Sequence, residues 1–170
     1  MDPVTHALLG VAVSEATLRR RIGTRANWLA ALAALAPDVD TFLERFSADP
    51  WVSLISHRGA THALIVAPLI ALVVAAVFWL FSRRQMLPMF LLALLAVLSH
   101  GLLDLFTSYG TQLFWPFSSR RLAIDALPIV DFLATPVLAI TVLACWLARR
   151  LKARPRVMAA ISLAGLALFV

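Results

Sequence analysis

Charged side chains are scarce in this sequence of 170 residues, where they make up 14% of the total against 62% hydrophobic residues. The mean hydropathy is +0.90. A water-soluble domain of this length carries more charge and alternates it with apolar positions. The composition therefore excludes an ordinary soluble fold. It predicts an all-α, polytopic integral membrane protein, because helices satisfy their own backbone hydrogen bonds in lipid.

Several residue types and motifs are nearly or wholly absent. The single cysteine, Cys145, excludes an intrachain disulfide, and Lys152 is the only lysine. No phosphate-binding loop, dinucleotide-binding glycine motif or HExxH zinc motif occurs in the sequence. Met1, Asp2 and Pro3 lack the basic start of a signal peptide. These absences exclude a disulfide scaffold and the common nucleotide-binding folds.

Apolar runs predict about four long membrane spans after two short N-terminal helices. The short helices are expected at residues 5–18 and 27–36, and long spans at 61–81, 86–106 and 129–147. A last apolar run, residues 158–170, is short for a span, so we expect it to be incomplete or the chain to continue. With few residues left outside the membrane, the sequence predicts one domain over residues 1–170.

The distribution of arginine predicts the orientation of these spans. Basic clusters follow the first short helix, residue 81 and residue 147, which assigns all three to the cytoplasm. The N-terminus and the loops at 38–58 and 107–128 then lie on the non-cytoplasmic side. Arg120 and Arg121 break the rule there. They are either snorkelling interface residues or ligands for an anionic substrate group.

All four histidines fall at the non-cytoplasmic face in this topology, together with several carboxylates. His100 and Asp104 are four residues apart, so both leave one face of a helix. An aspartate at the centre of a span costs about 2.5–3.5 kcal/mol and is usually retained for function. The sequence therefore predicts one shared site, drawn from His6, Asp38, Asp40, His57, His62, His100, Asp104 and Asp131.

Imidazole and carboxylate together point to metal chemistry. This mixture suits zinc, manganese or iron(II) better than magnesium alone. Two metals sharing a carboxylate would use many of the ligands and activate water for attack at phosphorus or a carbonyl. Asp40 is then a bridge or a proton acceptor. Arg58 holds an anionic group or neutralises a carboxylate.

Each candidate also has a purely structural interpretation. A hydrogen bond between His100 and Asp104 would close a helix contact, and His6 would be an interfacial residue at a helix start. Asp38 and Asp40 would be turn or cap residues after a proline-terminated helix. Asp131 would cap the fifth helix.

The segments MDPVTHALLG, APDVD, SHRGATHAL, SHGLLDLFTSYG and FWPFS resemble the family of bacterial inner-membrane metal-dependent hydrolases typified by YdjM. The resemblance implies a hydrolase in the bacterial inner membrane. The pattern is also similar to zinc-dependent phospholipases C, which combine an HRG-type loop with an HxxxD helix but have more histidines. That similarity implies one to three metal ions, zinc first, and the ligands His6, Asp38, His57, His62, His100 and Asp104.

Three functions follow from these observations. The preferred one is a metal-dependent hydrolase of a phosphoester or ester, including that of a membrane lipid, at the non-cytoplasmic face. The alternatives are a metal or proton transporter and a membrane scaffold with structural zinc. Transport needs polar residues across the whole span, and the cytoplasmic halves have almost none. No nucleic-acid partner is expected, because the RRLKARPR cluster adjoins a span as a topology signal. The sequence does not indicate an oligomeric state.

Overall fold

The computed structural model describes residues 1–44, 57–82, 85–128, 131–151 and 154–169, and within them the chain is all-helical. The helices are α1 (Pro3–Ala16), α2 (Arg19–Ile22), α3 (Ala26–Leu35), α4 (Val39–Glu44), α5 (Ala67–Ser82), α6 (Met86–Leu105), α7 (Ala134–Arg150) and α8 (Pro155–Phe169). Two short 3-10 turns, Ala36–Asp38 and Ala60–His62, stand between them. The all-α prediction is confirmed for these residues.

Local sequence signals explain where the first helices begin and end. Asp2 caps α1 by accepting a hydrogen bond from the Thr5 amide at 3.0 Å, and Pro3 fits the first turn because its missing N–H has no helical partner. α3 stops at Leu35, and Pro37 lies in the 3-10 turn that follows. Asp38 is the last residue of that turn and therefore lies just beyond the C-terminal end of α3.

α1 and α3 pack closely through a glycine. A Cβ atom on Gly10 would stand 2.5 Å from the Ala30 carbonyl oxygen, so only glycine allows this approach. The larger core lies between α3, α5 and α6 around Leu29, Met89 and Leu92, with many alanines. A smaller core joins α1 to the end of α6 and to α7. This packing brings the N-terminal turn of α1 beside the C-terminal turn of α6.

Only part of the predicted membrane topology is supported. Among the described helices, α6 alone is long and apolar enough to cross a membrane, with 20 residues at a hydropathy of 2.2. α5 has 16 residues and begins at Ala67 instead of residue 61, because a 3-10 turn occupies Ala60–His62. α7 begins at Ala134 instead of residue 129. Four long spans are therefore not confirmed, and Arg83, Arg84 and Lys152, used for orientation, lie outside the described residues.

The segment between α6 and α7 folds back over the end of α6 without forming a strand in its described part. Two isolated bridges, Thr107 with Leu127 and Thr111 with Leu122, hold it together. The Gln112 amide donates to the Arg58 carbonyl oxygen, and the Leu64 amide donates to the Leu113 carbonyl oxygen, each at 3.0 Å. These two hydrogen bonds join the segment to the connection that precedes α5. The segment thus covers the end of the helical bundle where the histidines lie.

Candidate metal centre

Four side chains from three separate parts of the chain converge at this end of the bundle. Asp38 comes from the turn after α3, His62 from the turn before α5, and His100 and Asp104 from the last turns of α6. One ligand atom from each lies within 4.8 Å of the other three. The side chains of His62, His100 and Asp104 are fully buried, and that of Asp38 is 19% exposed. The cluster can hold a metal ion.

Four of the six distances among the ligand atoms match those of tetrahedral coordination. The Nε2 atoms of His62 and His100 are 2.9 Å apart. The distances from these nitrogens to Oδ1 of Asp38 and Oδ2 of Asp104 are 3.3 to 3.5 Å. Ligand atoms about 2.0–2.1 Å from a tetrahedral zinc ion lie about 3.3–3.4 Å from each other. The donor set therefore fits a zinc-sized cation.

The outer nitrogens of both histidines have partners that fix the ring orientation. Nδ1 of His100 lies 2.6 Å from the Ala34 carbonyl oxygen, which only accepts, so Nδ1 carries the proton. The Thr61 hydroxyl donates to Asp40 at 2.9 Å and therefore accepts from Nδ1 of His62 at 3.0 Å. Assigned in this way, both Nε2 atoms present lone pairs to the same point. Two lone pairs at this distance repel unless a metal ion or a proton lies between them.

Asp104 is the most heavily contacted carboxylate of the cluster. Its Oδ2 atom is buried and accepts no hydrogen bond that satisfies normal geometry, which is costly for a buried oxygen without a cation. Its Oδ1 atom receives Nη2 of Arg58 at 3.1 Å and lies 3.2 Å from Nε2 of His6. The amino group of Met1 forms an ion pair with the same oxygen. One oxygen thus belongs to the protein network and the other faces the cluster.

His6 and His57 lie around the cluster and outside the group of four. The His6 ring stacks on that of His100 with centroids 3.7 Å apart, and its Nδ1 atom is buried without a hydrogen-bond partner. The His57 ring is 5.9 Å from that of His62, and its Nδ1 atom donates to Oδ1 of Asp40 at 3.2 Å. All four histidines therefore lie at one end of the fold, but His6 and His57 are outside the group of four candidate ligands.

Asp40 organises the loop side of the site. Besides His57 it accepts hydrogen bonds from the Arg58 amide at 3.1 Å and the Thr61 hydroxyl at 2.9 Å. Burial opposes ionisation of Asp40, but the hydrogen bond from His57 and the charge of His62 outweigh it, so the pKa of Asp40 lies below its ordinary value. Its nearest approach to His62 is through Nδ1, at 3.7 Å. Asp40 is therefore oriented toward the outer side of the cluster.

Two further groups outside α6 have shifted acidities. Burial disfavours the charged form of Asp38, yet hydrogen bonding to His62 and the neighbouring histidines keep the pKa of Asp38 low. Burial would likewise lower the pKa of His62, but its contacts with Asp104 and Asp38 raise it above the ordinary value. Without a metal, the carboxylates draw a proton onto His62. A metal ion and that proton therefore compete for Nε2 of His62.

The structure places Arg58 against the protein instead of in an open anion site. Its guanidinium donates from Nη1 to the Thr107 hydroxyl at 2.6 Å as well as pairing with Asp104. Its backbone is in the left-handed region at φ 58°, and the residue is 3% exposed. Of the two interpretations open from the sequence, neutralising a carboxylate is the one this geometry supports.

Arg120, Arg121 and Asp131 lie farther from the cluster. Arg121 donates from Nη2 to the His57 carbonyl oxygen at 2.9 Å and lies over the Tyr109 ring, while Arg120 is exposed. Asp131 accepts from the amides of Leu133 and Ala134 at 2.6 and 2.7 Å and so caps α7. The expectation of an extra ligand at Asp131 is not supported, because this carboxylate is committed to the helix end.

Two threonines hydrogen-bond to residues of the site, a role that the sequence analysis of histidines and carboxylates did not predict. Thr107 receives Arg58 and donates to the Asp104 carbonyl at 2.8 Å, and Thr61 links Asp40 to His62. Their positions carry a signal: Thr107 follows Asp104 by three residues, and Thr61 precedes His62 directly. Such neighbours often orient metal ligands.

Comparison with known proteins assigns this chain to a family. The match to the YdjM inner membrane protein family extends over residues 1–170. The chain belongs to that family. The YdjM-type resemblance found in the motifs is therefore confirmed, as is the inner membrane as the location of the family. No solved structure matches the chain.

Two relatives have names of their own. The chain is 33% identical over 139 residues to the uncharacterized protein YfhP of Bacillus subtilis (strain 168), a match that covers 77% of this chain and 42% of YfhP. It is 27% identical over 120 residues to the inner membrane protein YbcI of Escherichia coli (strain K12), covering 69% of each. The chain thus spans less than half of the length of YfhP.

Proposed function

We propose that this protein is a membrane-bound metal-dependent hydrolase that cleaves a phosphoester or an ester. The observation that carries the proposal is the convergence of two imidazole Nε2 atoms and two carboxylate oxygens on one buried point. Such a donor set is expensive to bury unless it serves a cation. Family membership supports the membrane location but names no reaction.

Asp38, His62, His100 and Asp104 would hold the cation. Two nitrogens and two oxygens favour zinc, with manganese and iron(II) as alternatives. A bound ion of this kind lowers the pKa of a coordinated water and polarises a phosphoryl or carbonyl oxygen. His6 lies against the second oxygen of Asp104, where it would complete a larger site with more than one ion.

The remaining residues position groups and handle protons. His57 is the most accessible of the site histidines, with 22% of its side chain exposed, and Asp40 fixes its ring through Nδ1. This pair is suited to accept the proton of an attacking water and return it to the leaving group. Arg58 holds Asp104 in place. Arg121, beside His57, and the exposed Arg120 would hold an anionic part of the substrate.

We further propose that the site faces the non-cytoplasmic side of a multi-pass protein in the inner membrane. The proposal depends on the basic clusters that follow the first helix and α7. α6 then crosses the bilayer with His100 and Asp104 near its outer end. A reporter fused after Arg150 is expected to lie in the cytoplasm.

A structural metal site is the second candidate. Four protein ligands, three of them with fully buried side chains, are typical of structural zinc, whereas catalytic zinc keeps one position for water. Asp38 decides between the two, because it is the most exposed of the four ligands and the most easily displaced. An enzyme would show water-exchangeable coordination and turnover, and a scaffold would show neither.

The test is metal analysis and phosphoester hydrolysis on purified protein in lipid nanodiscs. Asp104→Asn removes one of the two cluster carboxylates with little change in shape. Asp125→Asn makes the same change on an exposed loop and is the matched control. We expect stoichiometric metal and chelator-sensitive hydrolysis in the wild type and in Asp125→Asn, and neither in Asp104→Asn.

Each other outcome has a defined meaning. Metal in the wild type that depends on Asp104, without hydrolysis of phosphoesters or carboxylic esters, supports the structural site and rejects the enzyme. Wild-type protein without metal, prepared without chelator and after zinc addition, rejects both. Equal metal in Asp104→Asn and the wild type removes Asp104 from the ligand set.

A further inference from the structure

An apolar cavity of about 330 Å³ opens directly beside the candidate metal centre. His62 and His100, two of the four candidate ligands, belong to its wall, and both are buried. The rest of its wall has no polar side chain. Most of it comes from the chain just before and at the start of α5, the last turns of α6 and the covering segment: Leu64, Ala67, Val97, Leu98, Leu102 and Leu113. Water gains little from such a wall, whereas hydrocarbon suits it.

The same wall continues onto the outer surface of the protein. Leu102, Leu64 and Leu98 line the cavity and are 57%, 45% and 37% exposed. Leu98 and Leu102 belong to α6, the helix that is long and apolar enough to cross a membrane. If α6 crosses the bilayer as proposed above, their exposed sides face its acyl chains. The cavity wall thus extends from two of the cluster residues to exposed leucines on the surface.

We infer that the substrate is a membrane lipid, and that one of its acyl chains occupies this cavity while its ester or phosphoester lies at His62 and His100. The inference rests on the proposed hydrolase function and names its substrate class. The occupant is a bilayer lipid and not a soluble ester. The mouth lies among lipid-facing leucines, and among the described residues that line the cavity only the two histidines carry a polar side chain.

Gly101 provides a way to fill the cavity without replacing a ligand. It lines the cavity, and a Cβ atom there would meet its nearest neighbours, Cδ2 of Leu113 and the His62 carbonyl oxygen, at 3.7 and 3.9 Å. A first carbon is thus accommodated, and the larger side chain of Gly101→Leu extends into the space that the acyl chain would use. Gly165→Leu is the matched control, because nothing lies within 4 Å of a Cβ atom at that position.

The experiment uses full-length protein in phosphatidylethanolamine and phosphatidylglycerol nanodiscs containing a trace of phosphatidylethanolamine with a diazirine on its acyl chain. After irradiation, mass spectrometry maps the lipid adducts. Ala67 and Val97 are each only 4% exposed, so adducts there require a chain inside the cavity. Leu72 and Val73, exposed on α5, report ordinary contact with the bilayer.

We expect wild-type adducts at Ala67 or Val97 that fall about tenfold or more in Gly101→Leu, since small steric changes in apolar pockets have effects of this size. Adducts at Leu72 and Val73 should not change, and Gly165→Leu should match the wild type. Leu113→Phe narrows the cavity from the covering segment and is expected to act like Gly101→Leu. It keeps the test decisive if Gly101→Leu fails to fold.

Metal content and hydrolysis are measured on the same samples, which separates the two proposals. Metal and hydrolysis with adducts confined to exposed positions overturn the acyl-chain inference and leave the hydrolase standing. Cavity adducts in a protein that holds no metal overturn the substrate assignment, because the lipid is then only a bound lipid. Hydrolysis of a membrane lipid that Gly101→Leu reduces, with metal content retained, supports both.

Discussion

Two clusters of buried polar side chains lie at opposite ends of α1, and their composition differs. The cluster near His6 contains imidazole nitrogens and carboxylate oxygens that face one another. The cluster at Glu15, about 14 Å farther along the helix axis, surrounds one carboxylate with donors. Asn27 donates to it at 2.7 Å, Arg19 lies 3.1 Å away, and Arg149 forms a further ion pair.

The difference between them shows what marks a metal site. At Glu15 donors outnumber acceptors, because Asn27, Arg19 and Arg149 all face one carboxylate oxygen, and these contacts join α1 to α3 and α7. At His62 and His100 acceptors exceed donors, and the buried Oδ2 atom of Asp104 has no hydrogen-bond donor. Burial of polar groups alone therefore does not indicate a ligand site. An excess of acceptors around one point does.

The largest expected effect comes from removing a ligand of the group of four. His62→Ala should abolish stoichiometric metal binding, because it deletes one of two imidazoles and leaves three donors. His57→Ala, five residues earlier, should retain the metal and lose hydrolysis if His57 transfers protons. Metal analysis with turnover assays on both variants measures this. Loss of metal in both variants would show that His57 is also a metal ligand.

Arg58 should have the next largest effect. Arg58→Gln removes the guanidinium that contacts Asp104 at 3.1 Å and Thr107 at 2.6 Å. Loss of an outer contact to a ligand typically weakens metal affinity by about 10–100-fold. Competition with a chromogenic chelator measures the affinity. An unchanged affinity together with a raised KM would show that Arg58 binds substrate instead of positioning Asp104.

The pH dependence of metal binding sharpens the comparison. The pKa of His62 is raised above 6.5 in the metal-free fold. Protonation of His62 therefore stabilises the metal-free protein below that value, and this contribution is lost as the pH rises through the raised pKa. Metal displaces the proton, so its affinity should increase from about pH 6 to about pH 8. Thermal unfolding with and without zinc across this range measures the effect. A constant difference would contradict it.

Glu15 should have the smallest effect on the metal. Glu15→Gln leaves Arg19 and Arg149 without their carboxylate, which should cost about 1–3 kcal/mol of unfolding free energy. Both arginine side chains are partly exposed, at 20% and 25%, which keeps the loss moderate. Metal content should equal that of the wild type. A loss of metal would mean that the two clusters are coupled through α1.

The sequence predicts the helical class because apolar runs and their breaks are local features. α3 and α6 fall close to the predicted residues 27–36 and 86–106, where prolines and apolar content set the limits. α5 starts later than expected, because residues around His62 turn toward the site. That turn depends on contacts with Asp38, Asp104 and the covering segment, which lie far away in the chain.

The sequence by itself determined that His100 and Asp104 share a helix face, since a four-residue spacing requires it. It also determined that the chain is too apolar for an ordinary soluble fold. Only the tertiary structure decided which histidines meet Asp104, that Arg58 turns inward to hold it, and that Asp131 caps a helix. These choices depend on where α1, α6 and two connecting turns pack, and long-range packing has no local signature in the chain.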